Sequence, residues 1–265
     1  LVEIAGYLYK KNNEGANEAI VALERQYEQT VNELFETPEY IAKGKELIVS
    51  HFNYIKAFTQ DMFTLFEEKA ILAQGELLST ALMHFHLSEI GVESVLVPAL
   101  NYRRTDKDGE PDLFYIKENL KRELENHPGQ KLFITQGYIS RNAFGEIDNL
   151  KRGGSDYSAS LIGAGLGAEE IQIWTDIDGM HNNDPRVVDN TKPLATLSFD
   201  EAAELAYFGA KILHPASVQP AKVANIPVRL KNTMVPDAAG TLISSQSSGE
   251  GIKAIAAKDN ITAIK

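Results

Sequence analysis

The chain has 265 residues, a formal net charge of −11 at pH 7 and no cysteine, which excludes disulfides, thiolate nucleophiles and cysteine-based metal sites. With 43% hydrophobic and 24% charged residues, it has the composition of a globular protein that can bury a sizeable core. The negative charge disfavours nucleic acid as a partner, because phosphates would be repelled, and no apolar run reaches the length of a membrane span.

The first ninety or so residues are predicted to be helical. Apolar residues recur at three- and four-residue steps between Phe58 and Phe85, and Gly91 is a plausible stop. Beyond it, "SVLVPAL" has the length and β-branched content of a strand. The Asp-Gly and Pro of "RRTDKDGEPD" (103–112) indicate an exposed loop or hairpin. An amphipathic helix is predicted in "FYIKENLKRELENH", and a strand, buried at its centre, in "KLFITQGYI".

The same alternation continues through the second half of the chain. After a strand ending near Ile139, a polar loop leads to two glycines and a helix of small residues, "SASLIGAGLGA". A strand in "EIQIWTDI" precedes an acidic loop, and another strand is predicted in "IPVRLKN". Between them, Ser198 and Glu201 form the capping-box pattern of a helix. Strands alternating with helices predict an α/β fold, a three-layer αβα sandwich around a largely parallel central sheet.

The segment Arg152-Gly-Gly-Ser-Asp156 is the first candidate site. Two glycines before a helix allow a tight turn and close approach of a ligand, and the first N–H groups of a helix favour phosphate or carboxylate. The guanidinium of Arg152 suits an anionic ligand. The same letters are more typical of a plain turn with a helix cap, because so short a glycine motif is weak evidence for a binding site.

The loop "WTDIDGMHNNDPR" (174–186) is the second candidate site. It begins where a strand should end, and in open α/β sheets ligands bind beyond the carboxyl ends of strands. Thr175 and Asp176 would stand there, with Asp178, Asp184 and Arg186 in the same loop. An acidic surface loop is the alternative. A calcium loop is excluded by the missing glutamate and the wrong glycine position.

Two further charged residues, Lys211 and Glu76, can each be interpreted as a functional residue or as an ordinary surface residue. Lys211 could supply a point charge to a transferring phosphoryl group, or it could complement a helix dipole at the surface. Glu76 lies in a predicted helix, where its carboxylate could face a substrate ammonium or only solvent. The chain contains no Walker A sequence and no G-x-G-x-x-G, which disfavours P-loop and dinucleotide-binding folds.

Taken together, several motifs in order resemble the aspartokinases of the amino acid kinase family. They are "LAQGELLST", "RRTDKDG", "FITQGYI", "RGGSDYSAS", "IWTDIDGMHNNDPR", "FDEAAELAYFGAKILHPAS" and "IPVRLKN" with a later "GT". The resemblance implies an enzyme that binds Mg-ATP and L-aspartate and phosphorylates the side-chain carboxylate to give 4-phospho-L-aspartate. This is the first step of lysine, threonine and methionine synthesis.

The resemblance also implies roles for individual residues. Arg152 would clamp the α-carboxylate of aspartate and Glu76 its ammonium, while Asp156 and Lys211 would be catalytic. The remaining substrate contacts would come from Tyr138, Gly153, Gly154 and Ser155, and the ATP contacts from Thr175, Asp176, His181, Arg186 and Lys211.

The chain departs from the family pattern at several points. The family's opening Lys-Phe-Gly-Gly-Thr-Ser strand is not in the sequence, so the kinase domain, 1–248, is expected to be truncated at its N-terminus. Lys151 stands where the family has glycine. Residues 249–265 resemble the start of an ACT regulatory region, which implies a feedback-inhibited homodimer in the cytoplasm. A catalytically inactive ligand-sensing domain and a related amino acid kinase remain the alternatives.

Overall fold

The computed structural model describes residues 1–60, 62–150, 153–183, 188–208, 213–246 and 251–255. The chain divides into two compact units, Leu1–Leu150 and Lys151–Lys265. The first unit is mainly helical, and the second is built around a four-stranded sheet.

Helices fill most of the first part of the first unit, as predicted. The apolar spacing that starts at Phe58 was not one helix, however, because the third helix ends at Ala57 and the fourth begins at Leu65. The second and fourth helices contribute Ile20, Ile71 and Leu78 to a common hydrophobic core. The fourth helix begins with a capping box in which the Thr64 backbone N–H donates to a Glu67 carboxylate oxygen at 2.8 Å. These helices are α1 (Val2–Tyr9), α2 (Asn13–Leu34), α3 (Pro38–Ala57) and α4 (Leu65–Glu89).

The rest of the first unit contains short elements. Strand β1 (Val95–Leu96) pairs in parallel with β2 (Phe133–Ile134), and helices α5 (Ala99–Tyr102) and α6 (Leu113–Glu125) lie between them in the chain. Strands β3 (Ile139–Arg141) and β4 (Ile147–Asn149) form an antiparallel hairpin.

The predicted strand "KLFITQGYI" and the polar loop after it need correction. The strand is broken, because β2 ends at Ile134 and Tyr138 adopts a left-handed conformation with φ 61°. The loop holds the β3–β4 hairpin instead. Its turn is closed by the Asn142 side chain, whose oxygen accepts from the backbone N–H groups of Phe144 and Glu146 at 2.9 and 3.0 Å.

The second unit carries a mixed sheet with strand order β5-β7-β8-β6. The pairs β5–β7 and β6–β8 are parallel, whereas β7–β8 is antiparallel. The predicted capping box is present, since the Glu201 backbone N–H donates to Ser198 Oγ at 3.1 Å. The elements are α7 (Gly154–Leu166), β5 (Ile171–Thr175), β6 (Thr196–Ser198), α8 (Phe199–Phe208), a 3-10 turn (Pro215–Val218), α9 (Gln219–Val223), β7 (Val228–Asn232) and β8 (Thr241–Ser244).

Alternating apolar residues of these strands form the core of the second unit, with Ile173, Leu230 and Ile243 buried. The small residues of α7 have a packing reason. A Cβ on Gly163 would lie 2.5 Å from the Ile171 side chain, so the helix approaches β5 closely there. Within the described ranges, no helix is long and apolar enough to cross a membrane.

Candidate active site

Helix α7 begins at a turn that excludes a side chain. Gly153 precedes the helix with φ 72° and ψ 24°, a left-handed conformation. A Cβ at this position would lie 2.1 Å from Ser217 Oγ and 3.0 Å from His214 Cβ. The Gly153 carbonyl accepts hydrogen bonds from Tyr157 N at 2.7 Å and Ser217 Oγ at 3.3 Å. The backbone of the turn is thus pressed against the 3-10 turn, and only glycine fits.

The first turn of α7 offers backbone N–H groups and one carboxylate. Gly154 is buried, Ser155 is exposed and Asp156 is half-buried. The first N–H groups of a helix lack intrahelical acceptors and carry the positive end of its dipole, which suits an anion. Burial raises the pKa of the Asp156 carboxyl above its usual value. A cation close to Asp156 would favour its charged form.

The loop after β5 is held by side-chain hydrogen bonds of its own. Thr175 Oγ1 donates to Asp176 Oδ1 at 3.0 Å at the carboxyl end of the strand, where sequence reasoning expected both residues. The His181 ring contacts Asp178 Oδ1 through Nε2 at 2.6 Å and Thr191 Oγ1 through Nδ1 at 2.8 Å. The hydrogen bond from His181 holds the pKa of Asp178 below its usual value. His181 therefore links Asp178 to Thr191. Its predicted contact with ATP stays a prediction.

A buried threonine fixes the same loop to the sheet. Thr241 Oγ1 accepts from Met180 N at 2.9 Å and donates to Leu194 O at 2.6 Å. Gly179 passes directly over it, because a Cβ there would lie 2.3 Å from the Thr241 hydroxyl. This contact gives a structural reason for the "GT" pair noted in the sequence, which sequence reasoning could not supply.

In the first unit, Glu76 lies in the middle of α4, as predicted. Its side chain is half-buried, and burial raises the pKa of its carboxyl while the positive charge of Arg103 lowers it. Tyr138 is half-buried at the left-handed turn between β2 and β3, and burial raises the pKa of its phenol. Both residues retain the substrate-binding role as a prediction.

Arg103 is the residue of this region that sequence reasoning placed wrongly. The "RRTDKDGEPD" segment was expected to be exposed, and Arg104 is, with its guanidinium 2.7 Å from Asp112 Oδ2. Arg103 instead has no exposed surface. Its neighbours in the sequence are a tyrosine, an arginine and a threonine, which give no signal of burial.

Three predicted site residues, Arg152, Arg186 and Lys211, lie outside the described residues, as do Lys151 and Asp184. Among the residues with described positions, no three His, Asp or Glu side chains come together as a metal site.

Comparison with known proteins identifies the relatives of the chain. Residues 11–232 match the amino acid kinase family. The chain is 34% identical to lysine-sensitive aspartokinase 3 of Escherichia coli (strain K12), over 94% of this chain and 60% of that protein. It is 38% identical to the chloroplastic aspartokinase 1 of Arabidopsis thaliana, over 68% of this chain and 33% of that protein.

The fold gives the same result. The crystal structure of E. coli aspartokinase III in complex with aspartate and ADP matches with a TM-score of 0.80 and 30% identity, over 92% of this chain and 56% of that chain. The present chain thus spans little more than half the length of this relative. The resemblance inferred from the sequence is confirmed: the chain has the aspartokinase fold and belongs to the amino acid kinase family.

Proposed function

We propose that this protein is an aspartate kinase, which transfers the γ-phosphoryl group of ATP to the side-chain carboxylate of L-aspartate and forms 4-phospho-L-aspartate. The observation that carries the proposal is the match over 92% of the chain to an E. coli aspartokinase that was solved with aspartate and ADP. The arrangement at the start of α7 supports it, because it offers an anion two features, a close backbone and the positive end of a helix dipole.

The chemistry of this transfer needs positioning and charge neutralisation. The acceptor carboxylate is already an anion, so no general base is required. Backbone N–H groups of Gly153, Gly154 and Ser155 would hold anionic oxygens, where they need no reorganisation during the reaction. Asp156 would orient Lys211 and the metal. Bound with ATP, Mg²⁺ would neutralise phosphate charge.

The recognition of the amino acid would rest on three side chains. Glu76 would accept hydrogen bonds from the substrate ammonium, and Arg152 would bind its α-carboxylate in a bidentate fork. Tyr138 would also contact the amino acid, from its left-handed turn in the first unit. Half-burial of Glu76 strengthens its attraction for a cation, because charges interact more strongly away from bulk water.

The nucleotide would be bound by residues of the second unit. Thr175 and Asp176 would face it from the carboxyl end of β5, together with His181, Arg186 and Lys211. The hydrogen bonds that hold Asp178, Met180 and His181 support this assignment, because residues that are already held in place lose little entropy when a ligand binds.

The regulatory setting is proposed from the resemblance. The product would feed lysine, threonine and methionine synthesis in the cytoplasm, and residues 249–265 would begin an ACT region through which the protein forms a homodimer. One relative is named a lysine-sensitive aspartokinase, which supports feedback control by lysine, with threonine as the other candidate.

The test uses the full-length protein with Mg-ATP and L-aspartate, and hydroxylamine to trap the acyl phosphate as a hydroxamate. We expect hydroxamate with aspartate, and none without ATP or in a Glu76→Gln variant at low aspartate. Hydroxamate with a different amino acid only would make the protein a related amino acid kinase. Calorimetric binding of aspartate without any hydroxamate would make it a ligand sensor.

A further inference from the structure

The buried guanidinium of Arg103 is a charged group to which neither the family resemblance nor the proposed mechanism gives a role. Burying a charge is costly unless it is paired or hydrogen-bonded, so its position requires an explanation. The relative exposure of Arg103 is 0%. Its neighbour Arg104 shows the ordinary alternative, since its side chain is 46% exposed and paired with Asp112 at the surface.

The hydrogen bonds of Arg103 converge on the turn that carries Tyr138. Its Nη1 donates to the carbonyl oxygens of Gln136 and Ile139, both at 3.0 Å, and Nη2 donates to the Tyr102 hydroxyl at 3.0 Å. Gln136 and Ile139 stand on either side of Gly137 and Tyr138. A single guanidinium therefore closes the backbone around the left-handed Tyr138.

The same turn is tied to the helix that carries Glu76. The Gln136 side chain donates through Nε2 to Thr80 Oγ1 at 2.8 Å, and that hydroxyl donates to the backbone carbonyl of Glu76 at 2.7 Å. The other end of the Gln136 amide accepts from Ala99 N at 2.8 Å. These hydrogen bonds form a buried network that runs from Arg103 through Gln136 and Thr80 to Glu76. Such a network holds its residues in one geometry.

Arg103 also acts on Glu76 through its charge. Burial raises the pKa of Glu76, and Arg103 opposes that effect. Two tyrosines interact with the same carboxylate, Tyr27 from α2 and Tyr138 from the turn, and burial raises the pKa of both phenols, so both stay neutral near pH 7. Among these three described neighbours, Arg103 supplies the positive charge.

We propose that Arg103 is a positioning residue for amino-acid recognition: its guanidinium holds the Gly137–Tyr138 turn, which Gln136 and Thr80 tie to the helix that carries Glu76, and it provides a positive charge for the Glu76 carboxylate. It does not touch the substrate itself. The inference rests on the proposed function, in which Glu76 binds the ammonium group of L-aspartate.

The experiment compares Arg103→Met, which keeps the length of the side chain without its charge, with Arg103→Lys, which keeps the charge without the fork. Arg104→Met is the matched control at the exposed neighbour. In the full-length protein, Arg103→Met should raise the KM for aspartate roughly tenfold to a hundredfold, by analogy with the loss of groups that orient metal ligands. The KM for ATP should change less than about twofold, and Arg104→Met should leave both unchanged.

The pH profile separates positioning by charge from a merely structural role. Without Arg103, Glu76 should take up its proton at a higher pH, so kcat/KM for aspartate should fall earlier on acidification in Arg103→Met than in the wild type. Arg103→Lys should keep the wild-type profile with a raised KM. In a Glu76→Gln background, Arg103→Met should add little further effect on the KM for aspartate.

Several results would overturn the inference. They are an equal rise of both KM values in Arg103→Met, an unshifted pH profile, or full additivity with Glu76→Gln. If Arg103→Met does not fold, the Arg103→Lys variant is used instead. A wild-type KM for aspartate in Arg103→Lys would refute the role of the forked guanidinium. Calorimetric binding of L-aspartate to the same variants tests Arg103 without turnover, so failure of the kinase assignment alone would be seen separately.

Discussion

Replacing Gly153 by alanine should displace the start of helix α7, and Gly167 at the other end of that helix provides the control. Both glycines are left-handed, with φ 72° and 64°. A Cβ on Gly167 would meet nothing within 4 Å, whereas one on Gly153 would lie 2.1 Å from Ser217 Oγ. The pair therefore separates the backbone cost of the conformation from the cost of the close approach.

The expected magnitudes follow from these contacts. A left-handed alanine costs about 1–2 kcal/mol at either position, and the loss of chain entropy in the unfolded state is the same for both. Gly153→Ala adds roughly 1–3 kcal/mol for overpacking against the 3-10 turn and about 1 kcal/mol for the displaced Ser217 hydrogen bond. It should therefore destabilise the second unit by about 2–4 kcal/mol more than Gly167→Ala.

Urea denaturation followed by tryptophan emission measures this difference. Trp174 is the single tryptophan of the chain and lies in β5, so its emission reports on unfolding of the second unit. Adding Ser217→Ala to Gly153→Ala should restore part of the lost stability, because the nearest contact is removed. If Gly153→Ala costs no more than Gly167→Ala, the close approach at this turn is not a constraint and the reasoning fails.

Three further outcomes are expected. Thr241→Val removes a buried hydroxyl that bonds two backbone groups, so it should cost about 2–4 kcal/mol in the same titration and raise the KM for ATP more than that for aspartate. Lys253→Met removes the leading cause that lowers the pKa of Glu201 from 4.5 to about 2. A carboxyl whose pKa is lower in the folded than in the unfolded state stabilises the fold at pH values above the unfolded pKa. Above pH 4.5, Lys253→Met should therefore be less stable than the wild type by at most ~1 kcal/mol, and this difference should disappear as the pH falls towards 2. Steady-state kinetics should show that Arg152→Ala mainly weakens aspartate binding and Lys211→Ala mainly weakens ATP use, and the reverse pattern would mean that the two pockets are swapped.

Local sequence rules predicted the elements whose stability is local. The long helices could be predicted because apolar spacing repeats over several turns. The helix at 199–208 could be predicted because Ser198 and Glu201 form hydrogen bonds with each other. The short strands at 196–198 and 241–244 could not be predicted, since each exists only through pairing with a distant strand. The break at Tyr138 was missed because a left-handed tyrosine is rare.

The candidate site shows the same division between local and distant causes. The start of α7 could be predicted from Gly153 and Gly154, because the need for glycine at a left-handed turn before a helix arises within a few residues. The hydrogen bonds of His181 within its loop could not, since a histidine among aspartates is equally typical of a ligand contact and of a loop support.

Arg103 shows why some functional positions give no sequence signal at all. The carbonyl oxygens that accept from it belong to residues 33 and 36 positions further along the chain. Every residue offers a backbone carbonyl, so no side-chain pattern at Gln136 or Ile139 marks them as partners of a cation. A salt bridge between side chains requires a complementary pair that can be searched for, whereas a charge held by backbone carbonyls requires only a fold that brings the carbonyls together. Buried arginines of this kind therefore have to be found in structures, and their roles have to be tested by separating charge from shape, as Arg103→Met and Arg103→Lys do.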